Sequence, residues 1–214
     1  MHDLLHGVWH LERGILFTLK ETIVRPGQAA LDYIKGKRIR YYNVFYLSLL
    51  AIGANIVLKH FFDNLHPEPE NIVPNGLNIF LGHYLKIMIF CFVPLLALNA
   101  KLIFKRMELN IAEHAIISGF ALLGMIVITL LYLTLDFLSW YGYNVIGILE
   151  TISFIAILLF PAFTYSNVAT KYYSFFGFLW RIIALNLMVS LQIMLALMCI
   201  ASLVQGTSEI TVKF

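Results

Sequence analysis

The chain has 214 residues, of which 60% are hydrophobic, 14% aromatic and only 13% charged, with a formal net charge of +3. A soluble domain is about half apolar and about a quarter charged, and the mean hydropathy of +0.82 is more than a water-soluble core of this size can hide. These figures exclude a soluble enzyme, a disordered tail and a nucleic-acid-binding domain, and leave a polytopic membrane protein.

Along residues 2–24, Leu4, Leu5, Val8, Trp9, Leu11, Ile15, Leu16, Leu19 and Ile23 fall in one arc of about 160° at helical spacing. His2, His6, His10, Arg13 and Lys20 fall on the other side. The pattern predicts an amphipathic helix lying in the membrane interface rather than crossing it. Arg25-Pro26-Gly27 then interrupts the helical pattern, and a short helix over Gln28–Lys35 is expected before a basic cluster. No basic start, apolar block and small-residue cleavage site opens the chain, so the first spanning helix is expected to act as its own insertion signal.

Crossing the hydrocarbon takes about 20 apolar residues in a helix. Five stretches qualify: Val44–Phe62, Phe80–Phe104, Ala115–Leu138, Val145–Tyr165 and Leu179–Val204. Pro94 and Pro161 fall inside the second and fourth, where each kinks the helix and frees a carbonyl. Cys91 and Cys199 lie within apolar runs and read as small core residues rather than a disulfide framework. The predicted fold is all-α. An amphipathic and basic segment occupies residues 1–42, a five-helix membrane domain 43–204, and a short polar tail 205–214.

Twelve of the fifteen basic residues fall before the first span or in the loops on that side, among them Lys101, Lys105, Arg106, Lys171 and Arg181. The opposite loops carry Asp63, Glu68, Glu70, Asp136 and Glu209. By the positive-inside rule the N-terminus is expected in the cytoplasm and the C-terminus outside, which agrees with an odd number of spans.

The run Arg13-Gly14, Thr18-Leu19-Lys20, Arg25-Pro26-Gly27, Tyr33 and Gly36-Lys37-Arg38-Ile39-Arg40-Tyr41 resembles the opening of the membrane family called domain of unknown function 3667. Asn110-Ile111-Ala112-Glu113-His114 is similar to that family's second motif, N-[FY]-A-E-H. The resemblance implies a bacterial inner-membrane protein with several apolar helices, and it carries no activity. Relatives often open with a cysteine-rich zinc ribbon and have a proline just after the RY-x-N turn; this sequence lacks the ribbon and has Val44 at the proline position.

Three constellations carry chemistry. Arg25, Lys37, Arg38 and Arg40 form a basic juxtamembrane cluster suited to anionic lipid headgroups, where each cation is worth about 1 kcal/mol. Gly27 and Gly36 would let backbone approach a phosphate closely. His6 and His10, at helical spacing, together with His114, would supply imidazole ligands for zinc or another transition metal. Glu113 would then be the general base of a metal-dependent hydrolase or transferase at the membrane surface. Intramembrane polar groups His83, Lys86, Asp136, Glu150 and Arg181 form the third set. Such groups face partners or water-filled cavities, and Lys86 with Glu150 is the expected pair, either structural or part of a small transporter or channel. No Walker motif, nucleophile elbow, HExxH or CxxC is present. The expected partners are membrane lipids, anionic ones above all, with a protein partner or a second copy of the chain besides, and no nucleic acid.

Overall fold

A computed structural model describes residues 14–65, 76–139 and 146–211. All regular structure among these residues is helical. Residues 14–24 form α1, and Pro26–Ile34 form α2. Pro26 takes the first position of α2, where its missing N–H costs nothing. A 3₁₀ turn at Arg38–Arg40 leads into α3, Val44–Leu65. Then come α4 (Gly76–Ile103), a second 3₁₀ turn (Lys105–Met107), α5 (Ile111–Ser139), α6 (Ile146–Ala169) and α7 (Phe175–Thr211).

The elements match the apolar stretches of the sequence to within a few residues at most ends. The largest difference is at the C-terminus, where the expected tail from residue 205 is helical as far as Thr211. Nothing in Gln205–Thr211 stops a helix already formed, since Gly206 weakens one by only about 1 kcal/mol. Among the described residues, four stretches are long and apolar enough to cross a membrane: Arg38–Leu65, Ile111–Phe137, Gly147–Ala169 and Phe175–Cys199. Helix α4 is 28 residues long, but its described apolar stretch, Cys91–Ile103, covers only its second half. Pro94 and Pro161 lie inside α4 and α6 as expected.

Helix α5 is the axis of the bundle, packed against α2, α3, α4 and α6, while α7 rests on α4 and α6. Half of the apolar window of α5 is buried within the protein (50%), against 22%, 18% and 17% for the other three spans. Glycines set the close approaches. A Cβ on Gly124 would lie 2.0 Å from the ring of Phe160 on α6, and one on Gly119 would lie 3.0 Å from Phe45 on α3. Small residues bring membrane helices together where lipid provides no hydrophobic drive between them.

Burial is concentrated at one end of the bundle. The buried side chains of α3 are Val44, Leu47, Ser48 and Ala51, all in its first turns. Phe104, His114, Ile117, Phe120, Tyr165 and Val168 are sealed at the same end. Farther along, Val57, Phe154, Leu158, Leu187 and Leu191 are exposed. An apolar surface of this extent belongs against lipid rather than water.

Candidate functional site

The buried end is closed by residues 14–43, and nearly every residue of the opening motif has a structural task there. In α1, Thr18 donates to the Gly14 carbonyl at 2.7 Å and accepts from the Tyr42 backbone N–H at 2.8 Å. That contact ties α1 to the start of α3. Thr18, Glu21 and Thr22 form the inward strip of α1, whereas Leu16 and Val24 face away from the protein. Gly27 abuts α6 so closely that a Cβ would lie 2.3 Å from the Thr164 carbonyl oxygen. Ala29 and Ala30 are fully buried beside it, and the Gln28 amide donates to the Asn167 carbonyl at 2.6 Å. The glycine of the RPG elbow therefore serves helix packing, not approach to a phosphate.

The GK pair ends α2. Gly36 has φ +93° with open space around its Cα. Its N–H donates to the Tyr33 carbonyl at 3.2 Å, and the Lys37 N–H donates to the Asp32 carbonyl at 3.1 Å. These two bonds make a Schellman cap, in which a left-handed glycine satisfies the last carbonyls of the helix. Tyr41 is buried in an aromatic cluster, 5.3 Å from Phe17, 6.1 Å from Phe120 and 6.5 Å from Tyr33 between ring centroids.

The four cations of the cluster divide into two kinds. Arg25 is paired with Glu21 one turn earlier, and Lys37 bonds Asp32 at 2.8 Å. The Glu21 carboxylate raises the Arg25 pKa above its ordinary value. The hydrogen bond from Lys37 holds the Asp32 carboxyl below the usual range, against an opposing effect of burial. Arg38 and Arg40 are different. Their guanidinium carbons lie 5.5 Å over the Tyr33 ring and 5.1 Å over the Phe17 ring, and neither meets a carboxylate among the described residues. A guanidinium that lies over a ring and meets no carboxylate has N–H donors to offer a planar or phosphate acceptor. Lys35 through Arg40 are all exposed. Phe17 and Tyr33 were the parts that the charge pattern did not point to: the sequence marks cations, not the rings beneath them.

The second motif is also largely structural. The Asn110 side-chain oxygen accepts from the Glu113 N–H at 2.9 Å, and the Glu113 carboxylate accepts from the Asn110 N–H at 2.7 Å. This reciprocal capping box starts α5. His114 is 1% exposed, with Nδ1 3.4 Å from the Tyr165 hydroxyl, and Ser118 lies 3.4 Å from the same hydroxyl. Tyr165 stacks on Phe104 at 5.3 Å. Among the described residues no three His, Cys, Asp or Glu side chains are placed to hold a metal. His6 and His10 lie outside the described residues.

Arg181, near the start of α7, lies 4.2 Å over the Tyr173 ring and donates to the carbonyls of Gly177 and Ile103 at 2.7 and 3.4 Å. Asn99 on α4 and Gln192 on α7 exchange two amide hydrogen bonds, at 2.6 and 3.1 Å. A cavity of about 130 Å³ opens between α4, α5, α6 and α7, lined by Phe92, Met125, Phe154, Pro161, Asn186 and Ser190 among others. His83 and Lys86 lie on α4 and Glu150 on α6, with side chains outside those described, as is their expected pairing. Asp136 is half-buried near the end of α5. Cys91 and Cys199 are unbridged and exposed on α4 and α7. The expectation of core positions for them is thus corrected, because in lipid an apolar run is not a guide to which face is inward.

No curated protein and no solved structure matches this chain. The resemblance carried by the RPG and GKRxRY segment is shown: residues 12–52 match the model of the family described as "Protein of unknown function (DUF3667)".

Proposed function

We propose that this is a five-span protein of the bacterial inner membrane, with the N-terminus in the cytoplasm, whose basic end engages anionic lipid headgroups. The observation that carries this reading is the pair Arg38 and Arg40, exposed, lying over Tyr33 and Phe17, and without carboxylate partners among the described residues. Arg25 and Lys37 hold the surface in shape through Glu21 and Asp32 and add their charge to it. The outward Leu16 and Val24 of α1 support an interfacial position for that helix. Helix α4, 28 residues long, supplies the fifth crossing, since about 20 residues suffice. The test is the headgroup composition of lipid retained on the protein purified in mild detergent. Arg38→Gln/Arg40→Gln should retain several-fold less anionic lipid than the wild type. Equal retention would contradict the reading.

The cavity beside Pro161 favours a second role for the membrane part, the holding of a small amphiphile. Pro161 has no N–H to offer the Ile157 carbonyl, and Ile157, Asn186 and Ser190 line the same cavity. A small molecule co-purifying with the wild type but not with Asn186→Leu would support this role, and the same small-molecule content in both proteins would speak against it.

A further inference from the structure

Tyr173, in the turn between α6 and α7, is the centre of a second cationic arrangement that shares no residue with the first. Its ring is 7% exposed and packs edge-on against Phe104 at 5.9 Å. Its hydroxyl accepts from the Arg106 backbone N–H at 2.9 Å, which fixes the Lys105–Met107 turn against the α6–α7 turn. Two guanidiniums converge on this one ring: Arg181 at 4.2 Å and Arg106 at 5.8 Å from its centroid. Arg181 is also 4.4 Å from the Trp180 ring.

The donors of these arginines are only partly used. Arg181 has five N–H groups and gives bonds to two carbonyls. The Arg106 side chain has no hydrogen-bond or ion-pair partner among the described residues, and no described carboxylate pairs with either arginine. Two like charges on one aromatic ring repel, and an anion between them turns that repulsion into attraction. Exposed Lys105 and Lys171 add positive charge in the same two turns.

The surroundings identify the anion. Tyr172, Phe175, Phe176 and Trp180 are 47%, 72%, 80% and 55% exposed around the site. Tryptophan and tyrosine concentrate where headgroups meet hydrocarbon, so an apolar and aromatic rim beside free guanidinium edges fits a phosphate carried on an acyl glycerol. We propose that Arg106 and Arg181, seated on Tyr173, bind the phosphate of an anionic phospholipid headgroup at this end of α7, as a site separate from that of Arg38 and Arg40.

Trp180 lies against Arg181 and reports on the site. In a Trp9→Phe/Trp140→Phe background it is the sole tryptophan of the chain. The full-length protein would be reconstituted in phosphatidylcholine vesicles and titrated with acyl-brominated phosphatidylglycerol or acyl-brominated phosphatidylcholine. Quenching of Trp180 should show a preference for phosphatidylglycerol on the order of thirtyfold, because two cations at about 1 kcal/mol each multiply to that ratio. Arg106→Gln, which leaves the Trp180 contact in place, should cut the preference about fivefold, and Arg106→Gln/Arg181→Gln should abolish it. Arg38→Gln/Arg40→Gln should leave it unchanged, so failure of the first site and failure of this one read out separately. Equal quenching by the two lipids in the wild type, or a preference indifferent to Arg106→Gln, would overturn the proposal. Competition by inorganic phosphate without any preference between the lipids would assign the arginines to a soluble anion and overturn it as well.

Discussion

Gly27 faces the α6 backbone at a distance that admits no side chain: an added methyl would lie 2.3 Å from the Thr164 oxygen, 2.6 Å from Asn167 Cβ and 2.8 Å from Val168 Cγ2. Gly27→Ala must therefore push α2 off α6. Overpacking of this kind costs about 1–3 kcal/mol, and thermal unfolding in detergent should show a lower midpoint for the variant. Asp32 gives a pH signature. Its folded carboxyl titrates below the ordinary carboxylate range because Lys37 bonds to it. Its stabilising share is present above the unfolded value and is lost as pH falls through the folded value. Asp32→Asn should thus be less stable than the wild type at neutral pH, and the difference should shrink on acidification below the usual carboxylate range. A difference that grows on acidification would contradict this assignment. The Glu21–Arg25 and Asp32–Lys37 pairings are legible as short sequence spacings. The ring under Arg40, Phe17, comes from α1 and meets it only in the folded chain.

At the scale of elements, the two motifs are mostly instructions for starting and stopping helices. Proline begins α2, glycine at positive φ ends it, and the Asn110–Glu113 box begins α5. Asn110→Ala should cost about 1 kcal/mol, the usual loss for an N-cap, while Glu113→Gln should cost less because an amide oxygen still accepts from the Asn110 N–H. Unfolding midpoints of the two variants check the order. Helix positions were legible because long apolar runs have few other solutions in a bilayer. The packing was harder to foresee. Helices with apolar residues all round carry no inward stripe, so neither the central place of α5 nor the outward Cys91 and Cys199 follows from periodicity. The Asn99–Gln192 amide pair is of the same kind: both residues are visible as polar interruptions, but their partnership depends on α4 meeting α7.

The whole molecule has a polar, arginine-bearing end and an apolar body. Basic Arg38, Arg40, Arg106 and Arg181 gather at the end where α2 closes the bundle, each over an aromatic ring. In the proposed five-span arrangement, with that end in the cytoplasm, the two termini lie on opposite sides of the membrane. A C-terminal alkaline phosphatase fusion should be active in the periplasm, and a fluorescent protein fused at the N-terminus should fluoresce in the cytoplasm. Both reporters on one side would contradict a five-span arrangement.

The proposed role of Arg38 and Arg40 as headgroup ligands is tested most directly by native mass spectrometry of the detergent-solubilised protein titrated with phosphatidylglycerol or phosphatidylcholine. The wild type should hold phosphatidylglycerol preferentially, and Arg38→Gln/Arg40→Gln should lose at least one bound phosphatidylglycerol while keeping its phosphatidylcholine adducts. Identical adduct series for the two proteins would contradict the claim.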